Sequence, residues 1–341
     1  MNKLNLLFVV NPISGNRAGV KACEYIDDVL DVERFAYAVK QTEYAGHASE
    51  LARQAVTDGV DVVVAVGGDG TVNEIAGALI HTNTALAIVP VGSGNGLARH
   101  LRIPMDVKKA LEIINHCLVK SLDFGLMNGL PFFCTCGIGF DAFVSHKFAQ
   151  SGKRGMLSYL ENTLSEGLRY KPQTYLLETP DGKIEMEAFL VTCANASQYG
   201  NNAFIAPEAS MSDGLLDVVV MKPFSVLEAP QIAVQLFTRT LNDSAHIVTF
   251  KAKEVKITRR TPGVAHYDGD PVEMGKELYV SVVPSGIKMV VHPNIKSVDT
   301  PLQAFLDFFV DTSNYIGDNF KQGRKRIMSI DQDLLQKLKG K

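Results

Sequence analysis

The sequence predicts an α/β domain, built as a doubly wound parallel sheet, followed by an antiparallel β-sandwich. Up to about residue 120, apolar strand patterns alternate with loops and with the helical spacing of apolar residues, which is typical of a parallel sheet covered on both faces. After that point, alternating strands are joined by hairpin turns. The chain has 341 residues, of which 46% are hydrophobic, so it can supply a core for each domain.

The first domain contains four units of strand, loop and helix. The strands are runs rich in β-branched residues, and we place them at Leu4–Val10, Phe35–Val39, Val62–Val66 and Ala85–Val89. The helices that follow are predicted around a face formed by Ala22, Tyr25, Ile26 and Val29, within Gln41–Val56, from Thr71 onward, and up to about Cys117.

The second domain is predicted from turn signals. Asn128-Gly129 and Pro180-Asp181-Gly182 each separate two strand patterns. Further strands are expected in GLLDVVVM, HIVTFKAKEVKITR and KELYVSVVPSGIKMVV, with helices near Met156–Leu168 and Val226–Leu241. We therefore expect an α/β domain at residues 1–120, a sandwich at residues 121–295 and a helical tail at residues 296–341.

Composition narrows the class of protein. The net charge is −3 and the pI is about 6.3, so no basic field favours nucleic acid as a partner. The cysteines are five, scattered and without a C-x-x-C pair, which indicates reduced core thiols in the cytoplasm. No run of about 18 apolar residues predicts a membrane span, and peripheral contact with a membrane stays open.

The segment GGDG predicts a site for phosphate and metal. It lies between the strand Val62–Val66 and a helical pattern that starts at Thr71, where open α/β sheets bind ligands. Glycines let an anion approach backbone N–H groups, and the helix N-terminus adds its positive dipole end. Asp69 would repel a phosphate unless a divalent cation lies between them. The alternative interpretation is a tight turn with a solvated Asp69.

Two further loops belong to the same edge of the predicted sheet. NPISGNRAG offers Asn11, Ser14 and Gly15, and VGSGNG offers Ser93, Gly94 and Asn95. Together with GGDGTVNE these loops predict a cradle of backbone N–H groups for a polyphosphate. A P-loop and a G-x-S-x-G nucleophile elbow are both absent from the sequence, which disfavours a P-loop NTPase and a serine hydrolase.

These loops resemble the motifs of a known family. NPISG, GGDGTVNE, PVGSGNGLAR, CGIGFDA, SDGLLD and YDGD occur in this order from Asn11 to Asp270. They resemble the motifs of the diacylglycerol kinase catalytic domain family, which includes sphingosine kinases and bacterial lipid kinases. The resemblance implies a two-domain kinase that binds ATP and the acceptor in the cleft between its domains, with the C-terminal tail packing back on the first domain.

The resemblance also implies residue roles. Contacts to ATP would come from Thr42, Ser93 and the consecutive residues Gly67, Gly68, Asp69, Gly70, Thr71, Val72 and Asn73. Asp69 would organise Mg²⁺ and its waters. Asp268 and Asp270 stand where the family has Asp-Gly-Glu, whose third residue is assigned as the base. Asp270 is one methylene shorter than that Glu, so both aspartates remain candidates.

A structural metal site is implied for SDGLLD. Asp213 would supply a side-chain oxygen, and carbonyl groups near Leu216 and Val218 would complete the site. The alternative is a plain turn before a strand.

The acceptor is predicted from a departure from the family. The family usually has an Asp where this chain has Gly96, which we place at the mouth of the cleft. That would favour a sphingoid base over diacylglycerol.

The alternatives to an ATP-dependent lipid kinase are a small-molecule kinase like the NAD kinases and a non-catalytic lipid-binding regulator. A homodimer stays open.

Overall fold

The computed structural model describes residues 3–151 and 170–293. An α/β half is followed by a β-sandwich half in the described chain, which confirms the predicted fold class. The predicted helix near Met156–Leu168 and the tail at residues 296–341 lie outside the described residues. None of the described helices is long and apolar enough to cross a membrane.

The α/β half has four parallel strands in the order β2-β1-β3-β4. The strands are β1 (Leu4–Val10), β2 (Phe35–Gln41), β3 (Val62–Gly67) and β4 (Ala85–Pro90). The helices are α1 (Ala18–Cys23), α2 (Ile26–Val29), α3 (His47–Thr57), α4 (Asp69–Leu79), α5 (Gly96–His100) and α6 (Val107–His116). Every residue of β3 and β4 is buried, as expected for central strands covered on both faces.

The sandwich half contributes the remaining described elements. Its strands are β5 (Val119–Met127), β6 (Leu130–Phe132), β7 (Thr135–Gly139), β8 (Gln173–Thr179), β9 (Gly182–Ala188), β10 (Leu190–Ala194), β11 (Leu216–Met221), β12 (Ile247–Ala252), β13 (Glu254–Arg259), β14 (Gly263–Tyr267), β15 (Asp270–Met274) and β16 (Glu277–Val290). Its helices are α7 (Phe140–Ser151) and α8 (Ala229–Thr238). One sheet has the order β12-β11-β10-β7-β14-β15, and the other strands extend the α/β sheet as β4-β16-β13-β8-β9, with β5 and β6 joined through β16.

Strands β5 and β16 form a bent ribbon between the two halves. Strand β16 pairs antiparallel with β5, and the register shifts between Val283 and Ile287. The buried Asp123 accepts the Ser285 N–H at 2.7 Å inside this bulge. A Cβ on Gly286 would lie 2.3 Å from the Phe124 ring, so the ring packs directly against the bulged backbone.

Three local differences from the sequence prediction have physical causes. The first predicted helix is split into α1 and α2, because the N–H groups of Glu24 and Tyr25 donate to carbonyl groups three residues earlier, which tightens the turn there. The second helix was predicted within Gln41–Val56, but α3 begins only at His47, because Gln41 still belongs to β2. The hairpin β14–β15 was not predicted as strands, although its turn is an Asp-Gly pair with positive φ at both residues.

Candidate functional site

The loops that follow β1, β3 and β4 converge at one edge of the sheet, as the sequence predicts. A Cβ on Gly92 would lie 2.4 Å from the Gly68 Cα atom, and a Cβ on Gly15 would lie 2.0 Å from the Val91 carbonyl oxygen. Gly15 also has φ +55°. Only glycine permits this close contact of three backbones.

Three of the predicted ligand side chains hold the loops together. Asn11 donates from Nδ2 to Thr71 Oγ1 at 3.1 Å, and Thr71 is buried. Asn95 accepts the Gly92 N–H at 3.1 Å and donates to the Gly92 carbonyl at 2.8 Å. These side chains therefore shape the loops that form the cradle.

The N-terminus of α4 is open to an anion. The residue before it, Gly68, offers no side chain to cap the helix, and a Cβ on Gly70 would meet no described atom within 4 Å. The first N–H groups of this 11-residue helix have no partner within the helix and no side-chain cap, and such groups can bind an anion. This is the place where the sequence predicts the phosphate cradle.

Asp69 links α4 to the loop after β4. Its Oδ2 atom accepts the Asn95 N–H at 2.8 Å, and its Oδ1 atom accepts the Gly96 N–H at 2.7 Å. Each oxygen keeps a lone pair for a water molecule. Among the described residues, no group of three His, Cys, Asp or Glu side chains could hold a metal. The site fits Mg²⁺ only as an ion that arrives with phosphates and keeps its waters, which is the usual mode of Mg²⁺.

The other predicted contact residues lie around this cradle. Thr42 follows β2, and its N–H donates to the Val10 carbonyl at 2.9 Å. Ser14 and Asn73 are half-buried, whereas Ser93 is exposed. Val72 is buried in α4, and its N–H donates to the Gly68 carbonyl at 3.1 Å.

Glu74, which was not among the predicted site residues, ties the loop after β2 to α4. Its two carboxylate oxygens accept the Gly46 N–H at 2.9 Å and the Ala48 N–H at 3.2 Å. Glu74 thereby caps the N-terminus of α3 from the neighbouring helix α4. The last residue of the GGDGTVNE motif was the available signal.

Asp268 is bound to backbone on the sandwich side. Its carboxylate accepts the N–H groups of Phe133, Cys134 and Thr135 at 2.7, 2.6 and 3.0 Å. Burial raises the pKa of Asp268 to about 6, against the lowering effect of these three hydrogen bonds and of His266. Asp268 thus holds the turn between β14 and β15 against the chain that leads into β7.

Asp270 lies two residues further along the chain and differs from Asp268 in exposure and in hydrogen bonding. Its side chain is exposed at the start of β15 and makes no hydrogen bond to the residues that the structure describes. The surrounding protein desolvates its carboxylate and raises its pKa, and the charges of Glu74 and Asp69 raise it further, while His266 opposes them. The carboxylate of Asp270 in the sandwich is therefore close enough to Glu74 and Asp69 of the α/β half for their charges to act on it.

A buried polar cluster behind this carboxylate was missed by the sequence analysis. Asp141 accepts from Thr192 Oγ1 at 2.6 Å and from the Tyr199 hydroxyl at 3.1 Å, and it contacts His266 Nε2 at 3.0 Å. No described group pairs with His266 Nδ1, so the proton on Nε2 is the assignment that leaves no orphaned donor. The CGIGFDA motif contains Asp141, but the pattern does not identify its partners.

Gly96 is not at the mouth of a cleft, and this corrects the sequence-based argument about the acceptor. The residue is buried, and a Cβ on it would lie 3.2 Å from the Gly200 nitrogen and 3.3 Å from the Tyr199 carbonyl. A loop of the sandwich lies against this position, so a side chain there would require that loop to shift by at least a few tenths of an ångström. The preference for a sphingoid base therefore loses its support.

His100 makes a second contact between this loop and the α/β half. Its Nδ1 atom accepts the Ser197 N–H at 3.1 Å and lies 3.0 Å from Ser197 Oγ. Burial, and then the charge of Arg239, lower the pKa of His100 to about 4. The imidazole is therefore neutral near pH 7.

The geometry does not favour the predicted metal site at Asp213. The Lys251 ammonium lies 2.8 Å from Asp213 Oδ2 and 2.9 Å from Asp217 Oδ2. Leu216 and Val218 lie in β11, in register with β12. The Asp213 carboxylate that the resemblance assigns to a metal is thus paired with a lysine cation, which weakens the case for that ion.

Comparisons with known proteins agree with this architecture. Residues 5–127 match the model of the diacylglycerol kinase catalytic domain, and residues 134–291 match the model of the YegS C-terminal NAD kinase beta sandwich-like domain. A diacylglycerol kinase from Bacillus subtilis is 27% identical over 77% of this chain and 88% of its own length.

A probable lipid kinase YegS-like from Chromohalobacter salexigens is 33% identical over 56% of this chain, and the match spans 63% of that protein, which is less than two thirds. The crystal structure of a Bacillus anthracis diacylglycerol kinase superposes with a TM-score of 0.69 at 22% identity, covering 86% of this chain and 98% of that one. At 22% identity, the similarity to this crystal structure is evidence for the fold alone.

Proposed function

The chain belongs to the diacylglycerol kinase and YegS-like lipid kinase family, and from this premise we propose that it transfers the γ-phosphate of ATP to a hydroxyl group of a membrane-derived lipid. The observation that supports the proposal most is the exposed residue Asp270 of the sandwich, whose carboxylate is influenced by the charges of Asp69 and Glu74 in the α/β half. The acceptor class includes diacylglycerol, sphingoid bases and related lipids.

The cradle would bind the triphosphate. Backbone N–H groups at the start of α4 and in the adjoining loops would donate hydrogen bonds to the phosphate oxygens, and the helix dipole would favour the negative charge of the phosphates. Asp69 would keep the loop after β4 in place through the Asn95 and Gly96 N–H groups. Bound Mg²⁺ would neutralise charge on the phosphates, with Asp69 as the nearest carboxylate to its waters.

Asp270 would serve as the base. The acceptor hydroxyl loses its proton to the Asp270 carboxylate while its oxygen bonds to the γ-phosphorus, and the bond between that phosphorus and the bridging oxygen of ADP breaks. The products are the phosphorylated lipid and ADP. Asp268 already accepts three backbone N–H groups, so we assign it to the turn that positions Asp270.

We propose that the protein contacts the membrane from one side, because its acceptor lies in the bilayer. No described helix could cross a membrane, which is compatible with such contact.

The test is transfer of labelled phosphate from ATP to a panel of lipids in mixed micelles, with NAD⁺ as a non-lipid acceptor and with chelator as a control. We expect Mg²⁺-dependent labelling of at least one hydroxylated lipid and none of NAD⁺. Labelling of NAD⁺ instead would indicate a small-molecule kinase. Binding of ATP and lipid without transfer to any acceptor would indicate a regulator. Either result would overturn the proposal.

A further inference from the structure

An exposed aromatic ring stands at the outer end of the phosphate cradle and has no role in the fold of the core. Tyr44 lies in the loop after β2, two residues beyond Thr42, and is 54% exposed. Its ring stacks on the His47 imidazole, with the centroids 4.6 Å apart and the planes at 4°. One face of the tyrosine is therefore covered by His47, and the ring remains accessible to solvent.

The ring is held firmly for a surface side chain. The Tyr44 hydroxyl donates to Glu50 Oε2 at 2.8 Å, and His47 Nδ1 accepts the Glu43 N–H at 3.1 Å. The same loop is bound to α4 through the Gly46 N–H and Glu74. These contacts fix both the position and the tilt of the stacked pair, so little conformational entropy remains to be lost when a ligand stacks on it.

The topology gives the ring its place relative to the cradle. In the strand order β2-β1-β3-β4, the phosphate loops follow β1, β3 and β4, and Tyr44 follows β2. Neighbouring strands lie about 4.8 Å apart, so the ends of β2 and β3 are separated by roughly 10 Å. A single nucleotide can bridge that distance, with its phosphates at α4 and its base toward β2.

We propose that Tyr44, supported by His47, is the stacking platform for the nucleobase of the bound nucleoside triphosphate. The inference rests on the proposed kinase function and adds the residue that recognises the base. Aromatic rings bind bases through their faces and tolerate any planar base. The platform would therefore increase affinity for nucleotides over inorganic polyphosphates and favour large purine bases.

The chain offers a matched control for this proposal. Tyr279 in the sandwich is 55% exposed, its hydroxyl donates to Glu277 Oε2 at 3.0 Å, and the Lys256 ammonium lies 5.3 Å from the ring centroid. It resembles Tyr44 in exposure and in its hydrogen bond to a Glu, but it belongs to β16, outside the cradle.

The experiment is calorimetric titration of the full-length, nucleotide-free protein with Mg²⁺-ATP and with Mg²⁺-tripolyphosphate. We expect Tyr44→Ala to weaken ATP binding at least tenfold, about 1.4 kcal/mol, and to leave tripolyphosphate binding unchanged. Tyr44→Phe, which keeps the ring and loses the hydroxyl, should bind ATP within threefold of the wild type. Tyr279→Ala should match the wild type for both ligands.

Three outcomes would overturn the inference. Equal ATP affinity of Tyr44→Ala and the wild type would show that the base binds elsewhere and would leave the proposed function intact. An equal loss of ATP and tripolyphosphate binding would make Tyr44 a support of the loop. Failure of the wild type to bind ATP at all would overturn the proposed kinase function together with this inference.

Discussion

The substitution Asp270→Asn tests whether Asp270 or Asp268 is the base, because the two aspartates of the YDGD turn have different surroundings. The Asp270 side chain makes no hydrogen bond to the described residues and is exposed, so Asp270→Asn should change the free energy of unfolding by less than about 0.5 kcal/mol. Loss of the charge even relieves repulsion from Glu74 and Asp69. A general base contributes roughly 10² to 10⁴ in rate, so turnover should fall by at least that lower factor, equivalent to about 2.7 kcal/mol of transition-state stabilisation.

Asp268→Ala should have the opposite profile. It removes the acceptor of three backbone N–H groups, and the residues that carry them are buried. An unsatisfied buried donor costs about 1–3 kcal/mol, so the variant should lose roughly 3 kcal/mol or more of stability. Any loss of turnover should then accompany a lower unfolding midpoint in urea.

The assay is transfer of labelled phosphate at saturating ATP, combined with calorimetric ATP binding and urea unfolding for both variants. The wild-type kcat should rise with pH through a pKa above the usual range of an aspartate, since the base must be deprotonated and its pKa is raised. Asp270→Asn should lose this rise and retain ATP affinity. Full activity of Asp270→Asn would refute the reasoning, as would a stable but inactive Asp268→Ala, because the base would then be Asp268.

Three further predictions concern the supports of the site. Asp69→Asn turns an amide N–H toward backbone N–H groups and should reduce turnover about 100-fold or more, roughly 3 kcal/mol; normal turnover with an intact fold would make Asp69 a turn residue. His100 is protonated near pH 6.5 in the unfolded chain but only near pH 4 in the folded protein, so its contribution to stability is complete above pH 6.5 and falls as the pH drops, by up to about 1.4 kcal/mol per pH unit. Urea unfolding at pH 7 and pH 5 should therefore show a larger loss of stability in the wild type than in His100→Gln. Equal losses of stability would contradict the assignment. Lys251→Met leaves the buried Asp217 carboxylate without its cation, so it should lower stability by roughly 2 kcal/mol. A chelator should not change the melting temperature of the nucleotide-free wild type. A lower melting temperature with chelator would support a metal site at Asp213.

Local sequence patterns predicted the strands of the α/β half and the edge where its loops meet. Runs such as Val62–Val66 fix a buried strand by composition alone, and parallel topology then brings the glycine loops together. The pattern did not distinguish an Asn that binds a ligand from one that closes its own loop, as Asn95 does. Both uses require the same residue type at the same place in a turn.

Contacts between distant parts of the chain account for the remaining differences. The packing of Gly96 against Gly200, the pairing of Asp213 with Lys251 and the cluster of Asp141 with His266 each join residues far apart in sequence. Spacing and periodicity describe one element at a time and hold no information on such pairs. The different roles of Asp268 and Asp270 depend in the same way on backbone N–H groups that precede them by more than a hundred residues.

The bent ribbon of β5 and β16 limits how the protein can move. A hinge protein opens by changing a few backbone angles in an unpaired connection, but here eight residue pairs run along the junction, and Asp123 holds the bulge from within. Opening the two halves like a clamshell would break several hydrogen bonds of one sheet together. In the proposed kinase, the ribbon would therefore resist changes in the separation between the nucleotide and the acceptor.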